Sequence, residues 1–298
     1  MSRSRPAPRV PAASLQLLSV STTVPPAVAP WRENRPERAA GAPLAELWRA
    51  RELVLFFALR DLRLRYKQAV LGALWVVIQP VLVVVAFTFV FDRVARVGTG
   101  GVPYPLFALV GFVGWSYFAT VVGRSSEVLV ANTSLVTKVW FPRMAAPVAA
   151  LLPTGVDLAV GLGMVAVLCV WWGVVPGWAV LGLALWLVLL VLTTVGVALW
   201  LSALNVRYRD VRHAVAPVLQ VALFASPVAY AGDVLDGTAA LLYALNPMVG
   251  VIGVARWALL DQPWPGLPLL VSAAVTVALA ASGYWYFSRS ERSFADVI

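Results

Sequence analysis

The chain has 298 residues, of which 61% are hydrophobic and 12% charged, with a mean hydropathy of +0.83; this excludes a soluble domain and reads as an integral membrane protein. The net charge of +9 does not mark a nucleic-acid binder, because 12 of the 23 basic residues precede Val70 and most others flank apolar runs. Cys169, the one cysteine, excludes an intrachain disulfide and reads as a small buried hydrophobe, and the single histidine, His213, excludes a histidine-rich metal site. The two lysines, Lys67 and Lys138, follow no glycine-rich phosphate loop, so nucleotide-driven work has to come from another chain.

Residues 1–43, rich in Pro, Arg, Ala and Ser, lack an apolar run of secretory-signal length and read as a disordered cytoplasmic tail. From Leu44 to Lys67 the pattern turns helical, with Arg49, Glu52, Arg60, Arg63 and Lys67 on one arc, as in an interfacial helix. Phe56 interrupts that arc, and Arg51 and Arg65 lie opposite it. The first span is predicted over about Val70 to Phe91, with a kink at Gln79-Pro80. The second covers Pro103 to Gly123 and is crowded with Phe107, Phe112, Trp115, Tyr117 and Phe118; the third, Met144 to Trp172, contains Asp157. A tight turn from Gly173 to Gly177, ringed by Trp171, Trp172 and Trp178, leads into the fourth, Trp178 to Leu204.

Asn205 to His213 reads as an aqueous loop, and the fifth span, Ala214 to Ala231, is barely long enough. Two apolar pieces follow, Thr238 to Leu245 and Met248 to Leu260, broken by Asn246-Pro247 and each shorter than a crossing, as in re-entrant or interfacial helices. The last span covers Leu267 to Phe287. Twenty of the 23 basic residues fall on the side of the amino end; Arg93, Arg96 and Arg256 fall opposite. The positive-inside rule then gives six spans with both termini cytoplasmic.

Ser125 to Arg143, between spans two and three, carries Val128, Leu129, Leu135, Val136 and Val139 at the spacing of one apolar helix side, and stops at Phe141-Pro142. The pattern suits a short docking helix; an ordinary cytoplasmic turn is the alternative. Asp157, the acid deep in a span, faces a water-filled path or a dimer seam, or else stays protonated against a neighbouring helix. Aromatic faces hold sugars without a fixed hydrogen-bond pattern, so some of Phe112, Trp115, Tyr117 and Phe118 suit the wall of a glycan path, with lipid-facing or packing roles as the alternative. Arg209, Asp210 and Arg212 suit contact with a partner ATPase or lipid phosphates, or a solvated loop. Arg256 suits anchoring of a short outer helix to Asp233, Asp236 or Asp261.

The segments RDLRLRYKQAVLGALWVVIQP (Arg60 to Pro80), NTSLVTKVWFPR (Asn132 to Arg143), NVRYRDV (Asn205 to Val211), SPVAY (Ser226 to Tyr230), LNPM (Leu245 to Met248) and the closing FADVI resemble the membrane subunits of bacterial polysaccharide ABC exporters, which serve O-antigen, capsule, teichoic acid and galactan. The resemblance covers about Leu44 to Ile298. It implies an all-α permease domain over residues 68–298 with six transmembrane helices, a cytoplasmic interfacial helix over residues 44–67, a coupling helix within residues 125–143, and two short periplasmic re-entrant helices within residues 238–260 before the last span. Asn132, Leu135, Lys138, Phe141 and Arg143 would couple to the ATPase. Arg60, Asp61, Arg63, Tyr66, Arg209 and Asp210 would form the cytoplasmic interface; Trp75, Gln79, Pro80, Ser226, Pro227 and Tyr230 a lateral gate between the first and fifth spans; Asn246, Pro247 and Arg256 the periplasmic helices.

The implied assembly is a homodimer with two copies of a separate ABC ATPase, which carries the ATP and Mg, in the bacterial cytoplasmic membrane. Its cargo would be a polyprenyl-linked glycan, surrounded by membrane lipid and with no nucleic acid involved. No catalytic residues or metal ligands are expected in this chain. An ABC exporter of a drug or plain lipid, an ion-coupled secondary transporter and a membrane glycosyltransferase are the rival readings. The tail before Leu44 departs from the family pattern.

Overall fold

In lipid, each backbone polar group must be satisfied within its own segment or by neighbouring protein, so long apolar runs become helices. The computed structural model describes residues 47–67, 74–133, 141–232, 235–291 and 294, and the described regular structure is wholly helical. The expected tail over residues 1–43 lies outside the described residues.

Helix α1 (Arg51–Lys67) is followed by α2 (Trp75–Phe87), which passes through Pro80 and widens into π-helical turns over Thr88–Val94. Next come α3 (Tyr104–Ala131), the single turn α4 (Ala145–Ala149) and α5 (Leu151–Trp172). A 3-10 turn, Trp178–Gly182, opens α6 (Leu183–Arg207), and α7 (Val211–Phe224) is short. The pair α8 (Gly237–Tyr243) and α9 (Pro247–Leu260) bends by 103° at its break, and α10 (Leu267–Ser290) closes the order. Among the described residues, five segments are long and apolar enough to cross a bilayer: Trp75–Val94, Tyr104–Ala131, Ala145–Trp172, Trp178–Arg207 and Leu267–Ser290.

Helix starts follow local chemistry. Pro105, Pro247 and Pro268 sit in first turns, where a missing N–H removes no intrahelical bond, and Asn246 caps α9 by accepting from the Met248 N–H at 3.0 Å. Gly173 stops α5 in the left-handed region at φ 66°.

The hub is α3, 78% buried along its apolar window, whereas the same measure for α2 is 6%. Small residues set the closest helix contact. A Cβ on Gly283 would meet the Gly196 carbonyl O at 2.4 Å, and one on Gly196 would meet the Ala280 N at 2.7 Å, so α6 and α10 touch backbone to backbone. Thr193 and Thr276 share a 2.9 Å hydrogen bond nearby, and Trp200 stacks on Tyr286 at 4.3 Å.

Side-chain ties define two ends. At one, Asn205, Ser126, Phe141 and α1 come together; at the other, Gln262 reaches the Thr99 carbonyl, and Trp257 packs between Trp178 and Trp264. Helix α7 begins beside Asn205, through the Arg212 N–H, and the turn after it reaches Tyr104 at the opposite end, through the Ala229 carbonyl. The chain therefore passes between the ends along α7 despite its 14 residues. The bent pair α8–α9 stays at the end of Tyr104 and Trp178.

Two sequence expectations change. Ser125 to Ala131 does not begin a separate helix but continues α3. Nothing between Gly123 and Ala131 breaks a helix, and Ser125 and Ser126 turn their hydroxyls to the Pro147 and Gly123 carbonyls rather than to solvent. Asn205, assigned to an aqueous loop, is instead the buried end of α6 at 1% exposure, because both faces of its amide bond protein groups.

Candidate transport path and coupling surface

Midway along α3, polar groups from three helices meet where hydrocarbon would otherwise be expected. Gln79 and Pro80 of α2, Phe112, Ser116, Tyr117 and Thr120 of α3, and Thr154 and Asp157 of α5 line a narrow cleft of about 40 Å³. Such a group of hydroxyls, an amide and a carboxyl favours water or a polar ligand over lipid tails. The four expected path aromatics Phe112, Trp115, Tyr117 and Phe118 are all buried within this chain, none more than 7% exposed. Phe112 and Tyr117 border the cleft beside Asp157, while Trp115 and Phe118 face each other at 5.4 Å.

The residues assigned to a lateral gate separate into two places. Gln79 and Pro80 join the cleft, and Trp75, one turn earlier, is half exposed. Ser226, Pro227 and Tyr230 lie at the far end in a non-helical segment whose carbonyls are held from outside. Asn246 Nδ2 donates to the Ala225 O at 3.1 Å and to Ser226 Oγ at 2.9 Å; Tyr104 Oη donates to the Ala229 O at 2.6 Å. Tyr230 Oη donates to the Phe224 O at 2.9 Å and lies 2.8 Å from Tyr243 Oη.

Arg256 completes this clamp. Its Nη1 and Nη2 donate to the Tyr230 and Val228 carbonyls, both at 2.9 Å, and the guanidinium lies 3.5 Å from the centroid of the Phe107 ring. The Tyr230 and Val228 carbonyls are partners of Arg256 that the sequence did not announce. Pro227 leaves the segment without a helical ladder, so its carbonyls need other donors. Asp261 is the exposed left-handed cap of α9, and Asp233 lies outside the described residues.

At the opposite end, Asn132 stops α3, its Nδ2 donating to the Val128 O at 2.8 Å. Phe141 is buried edge-on against Phe57 of α1 at 5.7 Å. The Arg143 N–H donates to Glu291 Oε1 at 2.9 Å, and its guanidinium donates to the Glu291 carbonyl. The chain at Phe141 and Arg143 is thus anchored to neighbouring elements. Leu135, Lys138 and the side chain of Tyr66 lie outside the described residues. Arg60 and Asp61 pair at 2.9 Å and border a notch with Asn132 and Phe141, while Arg63, Arg209 and Asp210 are exposed.

Asn205 and Tyr104 escaped sequence reading as positioning residues. Asn205 Nδ2 donates to the Ser126 O at 2.8 Å and its Oδ1 accepts from the Arg212 N–H at 3.2 Å, joining α6, α3 and α7. An amide at the end of an apolar run just before a basic turn was the available signal.

These apolar helices, long enough to cross a bilayer, and the polar cleft among them are those of a multi-pass membrane protein. Residues 52–260 match the ABC-2 type transporter family, and the chain belongs to it. It is 29% identical over 256 residues to the O-antigen export system permease protein RfbA of Myxococcus xanthus, covering 85% of this chain and 98% of that protein. To a protein of the same name from Klebsiella pneumoniae it is 28% identical over 248 residues, covering 83% of this chain and 95% of the other.

Proposed function

We propose that this chain is the transmembrane subunit of an ATP-driven exporter that moves a polyprenyl-linked polysaccharide across the bacterial cytoplasmic membrane. The observation that carries the reading is likeness along almost the full length of an O-antigen export permease, rather than along one motif. In this reading the chain forms a homodimer and two ATPase subunits bind ATP and Mg. They push on the segment from Asn132 to Arg143, with α1 and the turn at Arg209 and Asp210 beside it. Both termini lie in the cytoplasm, and the lipid anchor stays in the bilayer while the glycan passes polar walls, so that sugar hydroxyls avoid hydrocarbon.

The test is depletion of the protein in its host, followed by mass spectrometry of lipid-linked glycans and a measurement of which membrane face they occupy. One glycan accumulating on the cytoplasmic face supports the reading and names the cargo. No change in the amount or sidedness of any lipid-linked glycan, with another solute accumulating, overturns it.

A further inference from the structure

Glu291 stands where its own helix disfavours it. It caps the carboxyl end of α10, its N–H donating to the Phe287 O, and the helix macrodipole opposes a carboxylate there. A residue at odds with its local setting points to a partner elsewhere, and that partner is Arg143, 148 residues away in sequence. The two serve each other's helices. Glu291 Oε1 accepts from the Arg143 N–H at 2.9 Å, just before the Ala145–Trp172 span begins, and the Arg143 guanidinium donates to the Glu291 carbonyl at the end of α10. A cation at that carbonyl complements the negative end of the helix.

The surroundings of this pair are apolar. Phe287 and Phe294, both fully buried, meet edge-on at 5.4 Å in one cluster with Leu129 of α3, Phe141, and Leu199 and Ala203 of α6. Phe294 opens the closing FADVI, a motif with no role in the reading so far.

The contacts made by Phe141 and Arg143 differ in kind. Phe141 meets Phe57 of α1 through an apolar, non-directional contact that tolerates sliding, whereas the two bonds at Glu291 fix both distance and direction. Beyond Glu291, α10 is held to α6. Gly196 and Gly283 bring the two backbones together, Thr193 bonds Thr276, and Trp200 both stacks on Tyr286 and donates from Nε1 to Ser282 Oγ at 3.1 Å. A displacement at Arg143 therefore reaches two spans as one body.

We propose that Glu291 is a positioning residue of the exporter: with Arg143 it forms a joint that passes displacement of the segment between α3 and α4 into the α6–α10 pair, and Phe294 packs the joint closed. The assignment rests on the proposed function and adds to it the carboxyl-terminal end of the chain as a transmitting element.

The first arm of the test needs no partner. Lys67 and Lys138, the two lysines of the chain, are its sites for a lysine-specific protease. With the full-length chain in nanodiscs, Glu291→Ala should speed cleavage after Lys138 about tenfold, the scale of one lost charge-assisted hydrogen bond. Cleavage after Lys67 should stay unchanged and serves as the internal control. Glu291→Gln, which keeps an acceptor oxygen for the Arg143 N–H, should fall between. The second arm reads transmission. In the depleted host, Glu291→Ala should slow movement of lipid-linked glycan to the outer face about tenfold, while the purified chain retains its ATPase and hydrolysis stays within about twofold of wild type. Arg143→Ala combined with Glu291→Ala should be no slower than the slower single variant, since the two act as one unit. Phe294→Leu should slow transport less than Glu291→Ala. Glu291→Asp, one methylene short of the Arg143 N–H, replaces Glu291→Ala if that variant does not remain monodisperse.

Unaltered cleavage after Lys138 would overturn the joint. Unaltered transport in Glu291→Ala would overturn its transmitting role and leave lipid-linked export standing. Transport lost only in proportion to retained ATPase or to folded protein would make Glu291 a packing residue and overturn the role as well. Losses that multiply in the double variant would separate Arg143 from Glu291 and overturn the pair. A wild-type chain that retains no ATPase and whose depletion leaves glycan sidedness unchanged would remove the proposed function, and the transmitting role with it, even with the protease difference intact.

Discussion

Removing the Arg256 side chain should release the segment after α7. Arg256→Ala deletes two charge-assisted hydrogen bonds, each 2.9 Å, to the carbonyls of Val228 and Tyr230, and a guanidinium 3.5 Å from the Phe107 ring. Each such bond contributes about 1.5–3 kcal/mol and the ring contact up to about 2 kcal/mol. Water reaching the freed carbonyls recovers part, leaving a net loss of about 3 kcal/mol. If local opening precedes exposure, its population rises about a hundredfold. The assay places a cysteine at Ala229, 4% exposed, in a chain whose native Cys169 is replaced by alanine, and compares alkylation rates with and without Arg256→Ala. Using the same reporter in both chains cancels the effect of the cysteine itself. A rate change within twofold would refute the clamp. Arg256→Lys should fall between, since one ammonium cannot reproduce the fork to two carbonyls.

Four further outcomes follow from the packing and the cleft. Gly283→Leu should destabilise by about 3 kcal/mol through overpacking against the Gly196 carbonyl, read as loss of monodisperse protein on heating, whereas Gly163→Ala, where a Cβ meets nothing within 4 Å, should be neutral. Asn205→Ala should cost about 2 kcal/mol in chemical unfolding, because its two bonds to Ser126 and Arg212 vanish together; stability equal to wild type would remove its joining role. Asp157→Leu should leave the protein folded but slow appearance of the glycan at the outer face, while Asp157→Asn retains more transport; equal transport in all three would separate the cleft from the path. Substituting Leu135 and Lys138 should weaken retention of the ATPase during purification, and unchanged retention would remove the coupling assignment.

The spans were legible because hydropathy acts over twenty residues and tolerates local exceptions, as with Pro80 inside α2 and Pro217 inside α7. The break at Asn246-Pro247 was legible too, since a cap followed by a first-turn proline is a local signal. Where α3 ends was not, because Ser125 and Ser126 look like loop residues until the Pro147 and Gly123 carbonyls are seen to accept from them. Arg256 was recognised as an anchor, but its bonds to the Val228 and Tyr230 carbonyls were not foreseen: carboxylates are visible as letters, whereas a free carbonyl depends on backbone shape. The same limit hid the cleft, which joins Gln79, Tyr117 and Asp157 from three helices and exists through their tertiary arrangement.

Helix α7 is about 21 Å long, against a hydrocarbon layer of about 30 Å. The rest of that passage is made by the segment from Ala225 to Tyr230, whose carbonyls take donors from Asn246, Tyr104 and Arg256. That stretch has its carbonyls satisfied by side chains of α3 and α9 and the Asn246 cap instead of by a helical ladder, so its shape depends on neighbouring elements more than on its own sequence.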